Sequence, residues 1–103
     1  MPVTPESKIK KDIKVYLRSI GAAVFPLPGG AYGCNGAPDI LTCYKGKFIA
    51  IEGKANNGVQ SSWQKLRQRQ IEEAEGIYIL AWSVEDVRNA FSSLNLFSAK
   101  AEN

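Results

Sequence analysis

Apolar residues recur along the chain with different periods, and each period predicts a different element. Ile9, Ile13, Tyr16, Leu17 and Ile20 fall at helical spacing, with Thr4 placed to cap, Pro5 at the first helical position and Gly21 as the stop. Ala22 to Leu27 reads as a short strand. The glycine-rich segment Pro28 to Gly36 reads as a flexible loop, long enough to reach over a neighbouring site. Ile40 to Tyr44 and Phe48 to Ile51 are rich in strand formers, and Lys45-Gly46-Lys47 between them offers the glycine that a tight reversal needs.

After Asn56-Asn57-Gly58, Ser61 or Ser62 caps a helix running to about Glu75 and ended by Gly76, with Trp63 and Leu66 assigned to the core. Ile77 to Trp82 is apolar throughout, the pattern of a buried central strand, and Trp82 is assigned to the core with it. Ser83-Val84-Glu85-Asp86 opens a last helix with Val84, Val87, Ala90, Phe91 and Leu94 facing inward. Beyond Asn95 the pattern is that of a frayed tail.

The resulting order, α-β-β-β-α-β-α, predicts an α/β fold with a mixed central sheet flanked by helices. At 103 residues and 45% hydrophobic, the chain suits one domain over residues 1–103, with its core in about 4–94 and a tail at 95–103. There is no internal repeat or linker. Thirteen basic against ten acidic residues give a net charge of +3, which permits a polyanionic partner without requiring one. Cys34 and Cys43 are too few for a zinc cluster or a disulfide framework, so a reducing compartment is expected. Neither a long apolar run nor a charged-then-apolar leader occurs, which leads to the expectation of a cytoplasmic protein, in a bacterial or an infected host cell. The absence of histidine excludes Ser-His-Asp and Cys-His catalysis and histidine-metal nucleases.

The hairpin gives the chain its candidate chemistry. With a two-residue or a four-residue loop, counting back along the ladder sets Asp39 opposite Glu52, their β-carbons roughly 5 Å apart. A three-residue loop would turn Glu52 to the other face. Period-two alternation puts Glu52 and Lys54 on the same side, while Pro38, with no N–H for a ladder, belongs at the strand's edge. Two carboxylates beside an amine can hold a divalent cation for phosphodiester cleavage. The acid-x-lysine triplet alone is weak, because Glu6-Ser7-Lys8 and Asp12-Ile13-Lys14 repeat it in a helix, where residues two apart do not share a face. Pro38-Asp39 at hairpin distance separates Glu52-Gly53-Lys54 from those two.

Gly76-Ile77-Tyr78 imitates one nuclease opening without its second half, and Gly46-Lys47 lacks the Ser or Thr of a phosphate-binding loop. In the second helix Lys65, Arg67 and Arg69 precede Glu72, Glu73 and Glu75, the reverse of what the helix dipole favours. A DNA backbone near the helix start, or a solvated face with ion pairs, accounts for that order.

Gly36-Ala37-Pro38-Asp39, a short apolar strand, Glu52-Gly53-Lys54-Ala55, and a helix opening Ser61-Ser62-Trp63-Gln64 together resemble the PD-(D/E)xK nucleases, and within them the VRR-Nuc group, over about Glu6 to Trp82. Gly53 departs from the pattern, standing where that family places a bulkier apolar residue. The resemblance implies a restriction-endonuclease-like core and a Mg2+- or Mn2+-dependent deoxyribonuclease. Asp39, Glu52 and the Gly53 backbone carbonyl are expected to hold the metal, and Lys54 to stabilise charge at the phosphate. It adds Glu6 as a further carboxylate and Gln64 as a contact to water or phosphate, with Gln68 as its substitute. Lys8, Lys10, Lys11 and Lys14 on the first helix, and Lys65, Arg67 and Arg69 on the second, are the expected DNA contacts. Single-domain relatives of this kind are similar to homodimers that cut branched DNA such as four-way (Holliday) junctions. The rival readings are a nicking, flap or restriction-like nuclease of the same fold, and a non-catalytic DNA-binding module.

Overall fold

The computed structural model describes residues 4–25 and 34–94. The first helix, α1 (Pro5–Ser19), starts where expected. Thr4 is its N-cap, and the Ser7 backbone N–H donates to Thr4 Oγ1 at 3.1 Å. It ends in a Schellman turn: Gly21 takes φ +87°, its N–H donates to the Arg18 carbonyl, and the Ala22 N–H donates to that of Leu17.

Strand β1 (Ala23–Val24) then pairs antiparallel with β2 (Ile40–Tyr44). Thr42, fully buried in β2, pins this short strand by donating from Oγ1 to the Ala23 carbonyl at 2.7 Å. Residues 26–33, most of the expected glycine-rich loop, and the tail at 95–103 lie outside the described residues.

β2 turns directly into β3 (Lys47–Gly53) through Lys45 and Gly46. Both have positive φ, +54° and +80°, as in the two-residue turns whose twist matches that of paired strands. The register therefore follows the two-residue loop, with Tyr44 opposite Lys47 and Ile40 opposite Ile51. After β3 the chain passes through α2 (Ser62–Glu73) to β4 (Ile77–Ala81), which lies parallel to β3, and finishes in α3 (Val84–Ser93).

The sheet order is β1-β2-β3-β4, so β3 is internal and β4 is an edge, not the central strand its apolar sequence suggested. Helices on both faces, rather than strands on both sides, explain β4's composition. Ile13 and Leu17 of α1, and Val87 and Phe91 of α3, join Ile40, Ile49, Ile51, Ile79 and Ala81 in one core. α2 covers the opposite face, where its Gln64 reaches Glu52, and it contains no fully buried residue.

Three core assignments are corrected by the structure. Trp63 is 50% exposed, Trp82 is 40% exposed and Leu94 is 45% exposed. Trp82 lies one residue past β4, and its indole N–H donates to the Gly58 carbonyl at 3.2 Å. Leu94 is the C-cap of α3, past the buried turn that Phe91 ends.

α2 also ends differently from expectation. Its Schellman turn places Glu75, not glycine, in the left-handed conformation at φ +71°, and the Gly76 N–H donates to the Ile71 carbonyl at 2.8 Å. Gly76 is needed for space: a Cβ there would stand 2.9 Å from Ile71 Cγ2 and 3.1 Å from Phe48 Cδ2. Glu75→Gly should therefore stabilise the fold by roughly 0.5–1 kcal/mol, the left-handed strain of a non-glycine residue less glycine's greater unfolded freedom. Urea unfolding measures it, and a lower midpoint for the variant would contradict this assignment.

Candidate metal centre

Extending the β2–β3 register by one residue beyond Ile40 and Ile51 sets Asp39 opposite Glu52, on the face that α2 covers. One residue further, Pro38 stands opposite Gly53. Proline has no N–H to give, so the ladder bond to the Gly53 carbonyl cannot come from this position. The Gly53 N–H donates instead to Asp39 Oδ2 at 3.0 Å, which fixes one oxygen of that carboxylate.

The start of α2 fixes Glu52. Ser61 accepts the Gln64 backbone N–H on its hydroxyl at 3.1 Å, and Gln64 Oε1 accepts the Ser61 N–H at 2.9 Å, forming a complete capping box. With its oxygen so committed, the Gln64 amide turns its Nε2 to Glu52 Oε2 at 2.8 Å. Gly36 locks this arrangement to the Asp39 segment. At φ +76° it lies so close to α2 that a Cβ would be 2.4 Å from the Trp63 carbonyl carbon and 2.8 Å from the Gln64 nitrogen. Gln68 is directed elsewhere: it accepts from Gln60 and donates to Glu72.

α1 supplies the third carboxylate. One oxygen each of Glu6, Asp39 and Glu52 lie within 4.8 Å of one another. Glu6 does more than favour a helix N-terminus. Lys10, one turn on, enters the same cluster, with its Nζ 3.2 Å from Asp39 Oδ1 and 3.8 Å from Glu6 Oε2. Lys10 thus turns into the cluster rather than serving as the expected DNA contact, and its i, i+4 spacing from Glu6 is the sequence signal for that role.

Gly53 makes room for it. A Cβ at Gly53 would meet Lys10 Cγ at 3.2 Å and Ile9 Cγ2 at 3.8 Å, so the glycine is filled by the α1 side chains rather than left as slack in the strand.

Glu52 is 2% exposed, and its Oε1 is buried with no hydrogen-bonding partner among the described residues. Burial raises its pKa to about 8, helped by the neighbouring Asp39 carboxylate, while Lys54 and Lys10 oppose the rise. Lys54 follows Glu52 on the same face, half-buried, with its N–H donating to the Ala81 carbonyl at 2.8 Å. Three carboxylates, one carrying an orphaned buried oxygen, make a donor set suited to a hard divalent cation.

The remaining candidates stand outside this cluster. Lys8 pairs with Asp12 at 2.9 Å, and Lys11, Lys65 and Arg69 are exposed. Arg67 braces the loop beside Gly36, donating to the Asn35 carbonyl at 3.0 Å, with its guanidinium 5.5 Å from the centre of the Trp63 ring. No helix among the described residues is long and apolar enough to cross a membrane.

No protein-family model matches the sequence, and no curated protein matches it. Among solved structures, one described as a VRR_NUC domain superposes with a TM-score of 0.73, over 86% of this chain and 96% of that one, at 22% identity. The chain thus has the fold of a VRR_NUC domain, a four-stranded mixed sheet with helices on both faces.

The protonated Glu52 sets a pH dependence. Its folded pKa lies above its unfolded one, so between about pH 4.5 and 8 the folded state holds the extra proton and stability falls as pH rises. Thermal unfolding with a chelator present should show that decline, and Glu52→Gln should flatten it. An unchanged slope in the variant would contradict the assignment.

Proposed function

We propose that this chain is a metal-dependent deoxyribonuclease and that Glu6, Asp39, Glu52 and the Gly53 carbonyl hold its Mg2+ or Mn2+. The observation that carries this reading is the buried, partnerless oxygen of Glu52 facing two further carboxylates. A carboxylate is not kept out of water without a compensating positive charge or a proton. Of the two, the divalent ion is the one that three converging carboxylates favour. When bound, the ion supplies Lewis-acid activation of water and phosphate and neutralises charge on the leaving oxygen.

The protein's own groups do the rest. Gln64, held by the capping box, orients Glu52. Lys54 places its ammonium on the same face, where it stabilises the charge that grows on the phosphate. Its role is electrostatic, acting through the charge of its ammonium.

For the substrate we favour branched DNA, such as four-way junctions, cut by a homodimer whose two-fold axis matches that of the junction. Two exposed indoles support a target with unpaired or distorted bases. The β3–β4 register, carried one residue past Gly53 and Ala81, puts Trp82 beside Lys54, and Trp63 adjoins Gln64 at the start of α2. Base stacking on such rings contributes about 1–3 kcal/mol per base. Lys65 and Arg69, exposed on α2, are placed to meet the backbone, and Lys8 and Lys11 do the same from α1.

A panel of labelled junction, flap, nicked and linear DNAs, incubated with Mg2+, Mn2+ or chelator, tests the proposal. The expected result is metal-dependent cleavage with junctions preferred, reduced about 100-fold or more by Lys54→Ala, with DNA binding retained. Preference for flaps or linear duplex would redirect the substrate assignment to a nuclease of another target. Binding without turnover under every metal condition would replace the enzyme by a DNA-binding module.

A further inference from the structure

We infer that Lys10 is a built-in counter-ion of the acidic cluster, occupying in the metal-free protein part of the charge space that a divalent cation takes, and that it must move aside when the cation binds. The inference rests on the metal-binding reading above and extends it to a residue outside the acid-x-lysine motif.

Two independent observations carry it. The first is electrostatic: the Lys10 ammonium lies 3.2 Å from Asp39 Oδ1 and 3.8 Å from Glu6 Oε2, so it bridges two of the three converging carboxylates. The second is steric. Lys10 reaches this position from α1 across the end of β3, and its Cγ lies 3.2 Å from where a Gly53 Cβ would be. A side chain at Gly53 would narrow the path of the lysine stem. Glycine between Glu52 and Lys54 and lysine at position 10 thus form a matched pair.

The arrangement separates the two lysines by role. Lys54 continues the Glu52 strand and is the lysine assigned above to the phosphate, whereas Lys10 comes from the helix side and touches the carboxylates themselves. An ammonium held against Asp39 steadies the cluster without metal and repels an incoming divalent charge at short range. Lys10 is accordingly a positioning residue: it keeps the carboxylates assembled and sets how tightly they take the ion. Its side chain is about one third exposed, which leaves it a way out toward solvent.

The test is Mn2+ binding by calorimetry on the full chain at pH 7, with unfolding followed in chelator. Lys10→Met, which keeps most of the stem, should bind Mn2+ roughly three-fold or more tightly because the short-range repulsion is gone, and should unfold more easily without metal. Gly53→Ala, whose backbone φ is not positive, should displace the lysine and reproduce part of the gain in affinity. Combining the two substitutions should add little beyond Lys10→Met alone. Equal or weaker Mn2+ binding by Lys10→Met, in a wild-type protein that binds Mn2+ and cuts DNA, overturns this inference and leaves the nuclease reading standing. A wild-type protein that neither binds Mn2+ nor cleaves DNA overturns both.

Discussion

Burying a carboxylate is among the most unfavourable things a small domain can do, and Glu52 is held on the internal strand at 2% exposure. After relaxation such a group still costs several kcal/mol unless charge or hydrogen bonds compensate. The surroundings of Glu52 are arranged around that cost. Gln64 donates to one oxygen, the positive charges of Lys54 and Lys10 favour the ionised carboxylate, and the other oxygen has no partner among the described residues. With Asp39 at its side, the group at neutral pH is largely protonated in the absence of a cation. On the proposed reading, a divalent ion and that proton compete for the same oxygens.

The backbone makes this geometry reproducible. The Lys45-Gly46 turn sets the hairpin register, the register sets Asp39 against Glu52, and Pro38 ends the ladder at the point where Asp39 takes the Gly53 N–H. Gly36 then docks that segment against the first turn of α2, whose capping box aims Gln64. Each step is local. Together they bring a helix, a hairpin and a second helix to one end of the sheet.

Much of this was legible in the sequence because it depends on short-range rules. The Thr4 cap, the Gly21 stop, the strand boundaries at Ile40 and Tyr44, and the opposition of Asp39 and Glu52 follow from capping, turn chemistry and period-two alternation. What escaped depends on depth and on contacts between elements. An apolar run does not distinguish burial by neighbouring strands from burial by helices, so the sequence of β4 suggests a central strand where the sheet has an edge. The bulk of Trp63 and Trp82 favours burial, yet both rings are exposed. Gly53 looked like a weakness in its strand, because nothing local shows that Lys10 passes over it.

The central claim is that the carboxylates of Glu6, Asp39 and Glu52 converge to take a divalent cation. Anomalous diffraction from crystals soaked in manganese tests this most directly. One or more peaks bounded by these three side chains are expected; a peak elsewhere, or none at saturating manganese, would rule out convergence on a cation.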